Sequence, residues 1–521
     1  MGTNYGRGII RQVEELTMRN ESLLEESKLL RAENRELKKR ISELETNMEA
    51  RIEAAVARAV KEATAPLMIE IEQKNEKIKK LETEVARLKA QINKNSDNSS
   101  KPPSQNGLNK IPNSREKSNR KTGGQPGHRG SHLKLPENLD ELIEKGQAKR
   151  IVVDHTNGSE TYVSRHTIDI EVIIVVTEHR YPEGSVPIEH RAPVIYGNKI
   201  KAFVCLLSVV GLIAMERLSN FLNEVTYGSI RLSDATIEKF LTDISGKLDG
   251  ELECIKTDLL NGAVINVDDS PIDVAEKPDY SDGEPKMLKS KNSSFTAYIR
   301  TYSNERSTLY TVNPQKDAQG CERDDILPHY IGILSHDHEA KFYNYGTGHA
   351  TCGSHLLRDL KGLFELQKIS WADDMRQFVS NINNHKNADL DAGRTACSPE
   401  ILAFFEKSYD RLLLDGNATL AILKDNELGY TELRRMLNRL TNYKDSYLLF
   451  IRDYTIPFTN NLAERDLRPA KTKEKISGCF RSWDALLDYS RIRSFLSSAH
   501  KRSANLFDSI LSILDSQPAF Q

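Results

Sequence analysis

Residues 263–271 read Ala-Val-Ile-Asn-Val-Asp-Asp-Ser-Pro. An apolar, β-branched run ends here in two acids and a turn-prone pair. The pattern predicts a buried strand over 263–268 with Asp268 at its C-terminal end, where open α/β sheets present ligands. Asp269 points to the opposite side if the strand continues, which makes it a supporting group behind Asp268. The competing reading is a plain turn, because Asp and Pro favour turns.

The chain around this stretch keeps alternating. Strands are predicted at 295–303, 307–313 and 331–336, the last ending at Asp337. A helix is predicted near 352–368, a mostly helical block over 370–450, and a last helix near 485–500. Strands followed by helices around a mixed sheet make an α/β layer design, with the helical block interrupting the sheet domain. After the block comes Asn460-Asn-Leu-Ala-Glu-Arg-Asp-Leu-Arg-Pro469, a short polar helix signal closed by a proline.

That segment carries Glu464, with Arg468 one turn later on the same face. An ordinary surface ion pair is the simpler reading. Against it, Arg465, Arg468, Lys471, Lys473 and Lys475 crowd one short stretch, and Arg481 and Arg491 extend the track. Cations beside a carboxylate suit a phosphate-bearing ligand. Asp268, Asp337 and Glu464 together offer oxygen ligands to hard cations such as Mg²⁺ (or Mn²⁺), and a pair of such ions clamps both oxygens of an in-line phosphoryl displacement. The three acids therefore imply metal-dependent phosphoryl transfer on nucleic acid. His336 and His338 raise a transition-metal alternative. Their spacing fits no zinc template, so they are expected at the site edge or in solvent. Cys352, His355 and Arg358 share one helical face. The cysteine reads as a small packing residue rather than a nucleophile.

The first 134 residues have a different grammar. Leucine recurs at 16, 23, 30, 37 and 44, with Val13, Asn20, Ser27, Asn34, Ile41 and Met48 at the other core position. Leu at d with Asn at a predicts a parallel two-stranded coiled coil; a long solvated helix is the alternative. Pro66 is expected to interrupt it. A second heptad through Ile78, Leu81, Val85, Leu88 and Ile92 either continues the dimer or folds back. Residues 94–134 then hold nine Lys/Arg, Arg120 and Lys121 among them, against two acids, and few apolar residues. Such a segment stays disordered and either follows a phosphate backbone or serves as a plain linker.

Alternation over 150–195 suggests a small β-rich module. Helical periodicity over 198–245, with Ser233 as an N-cap, is compatible with a helix-turn-helix reader or with ordinary helix packing. The working division is a coiled coil at 8–92, a basic linker at 93–134, a β-rich module at 135–195, a helical region at 196–250, a sheet domain in two parts at 260–370 and 456–521, and a helical insertion at 371–455.

At 521 residues the chain exceeds one core. A net charge of −2 leaves any nucleic-acid surface to local clusters. The six cysteines at 205, 254, 321, 352, 397 and 479 form no CxxC, which fits a reducing compartment. Neither a membrane-length apolar run nor a signal-peptide core is present, so a soluble cytoplasmic protein is expected.

Several of these stretches together resemble the DDE transposases of bacterial insertion sequences, of the insertion-sequence-sixty-six type. They are Asn98-Ser-Ser-Lys-Pro-Pro-Ser104, Gly123-Gly-Gln-Pro-Gly-His128, Val267-Asp-Asp-Ser-Pro271, Cys352-Gly-Ser-His355 with Arg358, and the Asn460–Pro469 block. The resemblance implies an RNase-H-like core with Asp268, Asp337 and Glu464 as catalytic, metal-binding triad and the helical block as insertion domain. It implies cleavage and strand transfer at the element's terminal inverted repeats and into target DNA. It also implies a homodimer or higher oligomer, accessory proteins of the same element, and a place near the bacterial nucleoid. The chain departs from the family pattern twice. The first acid sits in Asn266-Val-Asp-Asp-Ser rather than His-x-Asp-Glu-Thr. No cysteine occurs in 135–195, which excludes the zinc module of many relatives. A catalytically inactive, dimeric coiled-coil DNA-binding protein is the alternative function.

Overall fold

The structure, a computed structural model, describes residues 59–94, 98, 134–157, 160–279, 286–289, 295–425 and 427–519; residues 59–71, 277–279 and 286–289 are described by backbone alone. The leucine repeat over 9–48, Arg120 and Lys121 lie outside these residues.

Helix α1 (Ala59–Ile92) runs straight through Pro66. The expected interruption does not occur: one missing N–H and one ring clash cost a helix about 3 kcal/mol, which a long helix can absorb. Beyond α1, Asn98 is buried against the body of the protein. Its side-chain amide donates to Asn93 O at 3.2 Å and Glu365 Oε2 at 3.3 Å. A Cβ on Gly362 would stand 2.3 Å from the Asn98 carbonyl oxygen. Asn98, a residue of the expected free linker, is thus docked.

Helix α2 (Leu139–Glu144) is followed, among the described residues, by chain without regular structure apart from turns and a 3-10 turn at Ile188–His190. The β-rich module expected at 135–195 does not form among the described residues. Val152, Ile170, Val175 and Val176 are each more than 80% exposed. Alternation creates an apolar strand face, but a strand needs a neighbour to bond and a core to cover that face.

Four helices follow: α3 (Asn198–Cys205), extended by a π-turn over Leu206–Val210, α4 (Met215–Val225), α5 (Asp234–Ser245) and α6 (Asp249–Leu260). Ser233 caps α5 as expected, its hydroxyl accepting from Thr236 N at 3.1 Å.

The sheet domain comprises β1 (Val264–Val274), the hairpin β2 (Glu276–Asp279) and β3 (Lys286–Lys289), β4 (Phe295–Ser303), β5 (Thr308–Asn313), helix α7 (Ala318–Arg323), β6 (Ile333–His336) and β7 (Gly348–Thr351). The main sheet has order β5-β4-β1-β6-β7. β1 pairs antiparallel with β4 and parallel with β6, and β6 pairs parallel with β7. Helix α8 (Gly353–Gln367) leaves the sheet for the helical block: α9 (Ser370–Asp391), α10 (Pro399–Ile422), α11 (Tyr430–Asn442) and α12 (Lys444–Arg452). The chain returns through α13 (Asn461–Ser477), α14 (Trp483–Lys501) and α15 (Leu506–Leu514).

Both sheet faces are covered. Ile265 and Val267 point into a core with Ile255, Leu259, Tyr302 and Phe342. Ile272 and Val274 belong to the opposite core, with Ile299, Leu486 and Phe495. The helical block has its own core around Trp371, Met375, Tyr409 and Leu437. No helix among the described residues is long and apolar enough to cross a membrane.

Candidate active site

Asp268 does not end its strand. β1 continues to Val274 because residues 266–274 all pair with β4. What stops is the other ladder: β6 pairs with β1 only as far as Asn266 opposite Ser335. Asp268 lies two residues past Asn266, and Asp337 two past Ser335. The two acids are therefore level across the point where the strands part, and Asp268, still within β1, keeps the orientation of Asn266.

Helix α13 takes over the edge of β1 that β6 abandons. Glu474 accepts from Asp273 N at 2.6 Å, Lys471 Nζ donates to the Pro271 carbonyl at 2.5 Å, and Phe480 and Asp273 bond through their backbones at 2.9 Å. Pro271 is tolerated because this edge needs no ladder there. Asn460, fully buried at the start of α13, fixes the approach. Its amide donates to Val267 O at 2.8 Å, its Oδ1 accepts from Asn266 at 3.0 Å, and its backbone N–H donates to Cys352 Sγ at 3.2 Å. Asp466 anchors the far side of α13, accepting from Ser303 and Thr308 hydroxyls at 2.8 Å and Lys501 Nζ at 2.7 Å. Glu464, two residues earlier, lies roughly 200° around the helix.

The helix continues through Pro469 to Ser477 instead of closing there. Leu467, Ala470 and Lys473 are buried on either side of the proline, so tertiary contacts hold both halves.

Alternation puts Asp268 on the face of β1 that carries Asn266 and Ile272, the face α13 covers. Burial pushes the Asp268 carboxyl well above the usual carboxylate range, and Asp337, Asp269 and Glu464 push the same way. Asp337 is also raised, first by burial and then by Glu339, with His355 opposing. Asp268 thus feels both other acids, but among the described residues the three carboxylates do not come within 4.8 Å of one another as a set. Asp337 Oδ1 and Glu464 Oε1 are buried oxygens without a hydrogen-bond partner. These orphaned oxygens fit a hard divalent cation.

Asp269 points to the other face, as its parity requires. Its side chain is 1% exposed and pairs with Lys341 at 2.5 Å, Lys316 at 3.2 Å and Arg300 at 3.4 Å. Arg300 also bonds Asp324. A buried cation cluster thus lies directly behind the first acid.

His336 is not solvated, and His338 is half-buried. His336 is fully buried, 3.3 Å from His349, and burial and the neighbouring histidines lower it to about 3. His338 adopts a left-handed backbone (φ 74°), and its Nδ1 lies 2.7 Å from Tyr343 Oη. Its ring stands edge-on to Tyr443, 4.8 Å away, linking the Asp337 turn to the helical block.

The expected phosphate track is thinner than the sequence suggests. Arg465, Arg468, Lys475 and Arg481 are exposed, and Arg358 is half-buried on α8. Lys473 faces inward: it is buried and donates to Ser208 O and Ile213 O, both at 3.1 Å, and burial lowers it to about 8. Lys471 is held by Pro271 and Glu474. Arg491 donates to Ser245 O at 3.0 Å and also bonds Asp249. These three hold the fold together.

Two groups carry more of the site than their sequence signals indicated. Asn460 opens a polar helix signal, yet its side chain bonds β1. Cys352, the N-cap of α8, brings Sγ within 4.8 Å of ligand atoms on His355 and Glu464. Gly353 next to it allows close approach, since a Cβ there would meet the Phe458 ring at 2.2 Å.

Neither a curated protein nor a solved structure matches the chain. Residues 51–134 match a family model described as a family of unknown function, DUF6444. Residues 193–486 match the model described as Transposase IS66 family. That family's function is transposition, with DNA as partner and divalent metal ions in general use. The matched segment spans more than half of the chain and holds all three acids, so the chain belongs to the transposase IS66 family.

Proposed function

We propose that the protein is a DDE transposase that cleaves and joins DNA at the ends of its own insertion sequence. The observation that carries this reading is that Asp268 on β1 feels the charge of both Asp337, at the end of β6, and Glu464 on α13, while Asp337 Oδ1 and Glu464 Oε1 are buried without a hydrogen bond. On this reading the sheet with its helices is an RNase-H-like core, and Asp268, Asp337 and Glu464 hold Mg²⁺ or Mn²⁺. A bound divalent cation supplies Lewis-acid polarisation of phosphate oxygens and offsets the charge of the three carboxylates.

The chain's own residues do the rest. Asn460 sets the depth at which Glu464 meets the strands. Asp269, held by Lys341, Lys316 and Arg300, stiffens β1 behind Asp268. Exposed Arg465, Arg468 and Lys475, with Arg358, supply cations for the phosphate backbone. The linker residues Arg120 and Lys121 add to them. Terminal inverted repeats and target DNA are the substrates. The coiled coil over 8–92 pairs two copies, and accessory proteins of the element complete the assembly.

The test is Mg²⁺- or Mn²⁺-dependent nicking of DNA carrying the element's terminal repeats. Wild type is expected to nick, while Asp268→Ala and Asp337→Ala are not. Equal activity in all three proteins overturns the catalytic reading and favours a DNA-binding role alone.

A further inference from the structure

Hard cations account for the oxygens of the site, but not for the sulfur and nitrogen beside them. Cys352 Sγ, a ring nitrogen of His355 and a carboxylate oxygen of Glu464 lie within 4.8 Å of one another. His355 Nδ1 is 3.6 Å from Glu464 Oε1, and both atoms are buried without a hydrogen-bond partner. Tetrahedral zinc, with bonds of about 2.0–2.3 Å, places such donor pairs roughly 3.3–3.6 Å apart. The sulfur sits at the N-terminal end of α8, where the helix dipole favours an anion. It accepts the Asn460 backbone N–H at 3.2 Å, while burial raises the thiol to about 11, so the thiolate forms only as a metal displaces the proton. Cys352 and His355 are three apart in the first turn, so the backbone already presents both on one side. Three protein ligands leave the fourth tetrahedral position to a water.

We propose that Cys352, His355 and Glu464 form a site for a borderline divalent cation of the zinc class, and that filling it draws Glu464 away from Asp268 and Asp337. Binding displaces the Cys352 thiol proton to solvent and forms the metal–sulfur bond, with no change of oxidation state. Magnesium does not compete for this site, because thiolate and imidazole favour softer ions. Zinc therefore acts as an inhibitor that captures the third acid. This second part rests on reading Glu464 as a member of the catalytic triad; the binding site itself does not.

Cobalt(II) replaces zinc as a spectroscopic probe, added to the full-length protein. Wild type is expected to show a thiolate-to-cobalt charge-transfer band. Cys352→Ser removes it, His355→Gln weakens cobalt binding at least tenfold, and Asp268→Asn leaves it in place. Circular dichroism confirms that each variant is folded. No band in wild type, a band that survives Cys352→Ser, or one lost in Asp268→Asn overturns the site. In parallel, zinc is titrated into the Mg²⁺-dependent nicking reaction. Half-inhibition of Cys352→Ser is expected to need at least tenfold more zinc than wild type; equal sensitivity overturns the inhibitory role. If wild type does not nick at all, the catalytic reading and the inhibitory role both fall, while the cobalt band still decides the binding site.

Discussion

The Asn460 side chain donates to the carbonyl oxygen of Val267 at 2.8 Å, joining the start of the Glu464 helix to the residue before Asp268. The two partners are 193 residues apart in sequence, and the whole helical block is inserted between them. One amide thus bridges the chain's excursion through the helical block.

Asn460→Ala leaves Val267 O and the Asn266 amide without their partner. A buried polar group left unpaired costs about 1–3 kcal/mol. Groups that orient metal ligands typically cost 10–100-fold in metal affinity or activity when removed. Denaturant unfolding and Mg²⁺-dependent nicking are expected to show both losses. Full activity in the variant would mean that α13 finds its place without this contact.

Asp268→Asn is expected to lose activity yet gain stability in the absence of divalent cations. Burial and the neighbouring acids raise the Asp268 carboxyl in the folded chain, so the folded state holds that proton more tightly than the unfolded state. The group's contribution is full below the ordinary carboxylate range and is lost as pH rises through the raised value. The variant's advantage should therefore appear near neutral pH and vanish in acid. Thermal melts across pH with EDTA measure it. Added Mg²⁺ should raise the wild-type melting temperature and leave that of the variant nearly unchanged.

Asp269→Asn removes the anion that Lys341, Lys316 and Arg300 share. Breaking a buried ion pair from one side costs about 3–5 kcal/mol. Equilibrium unfolding is expected to show a loss of this size, well above that of a surface substitution. A change below about 0.5 kcal/mol would mean that Asp324 and Glu339 neutralise the cluster unaided.

Lys473→Ala and the triple variant Arg465→Ala, Arg468→Ala, Lys475→Ala separate structural from DNA-facing cations. The first leaves two carbonyls unpaired and is expected to cost about 1–3 kcal/mol of stability with no change in the salt dependence of DNA binding. The triple variant is expected to keep its stability and to lower the slope of log K against log salt by about 0.9 for each lost phosphate contact. Unfolding curves and DNA titrations at several salt concentrations decide between the two patterns.

Much of the sheet was legible. Runs rich in Val, Ile and Tyr at 264–267, 295–303 and 308–313 form strands as read, because their alternation matches cores on both faces. The opposite orientation of Asp268 and Asp269 followed from the period of two. Four features were not legible, each for a physical reason. Apolar alternation at 150–195 satisfies the local rule for a strand, but nothing in the described chain covers that face. Pro66 and Pro469 lie inside helices whose flanks are long or buried enough to outweigh a missing N–H. The spacing of Lys473 from its basic neighbours says surface, but carbonyls 260 and 265 residues earlier in sequence draw it inward. Asn460 stands in a polar helix signal, yet its side chain bonds a strand.

The notch at Gly362 limits how the protein can be cut apart. The 193–486 segment recognised as the transposase domain omits Asn98, whose backbone fills the space where Gly362 has no side chain. Excising that segment would strip the cover from the same helix that presents Cys352 and His355. Asn98 is therefore a structural neighbour of the family-matched segment, and a fragment without it would carry an open seam along that helix.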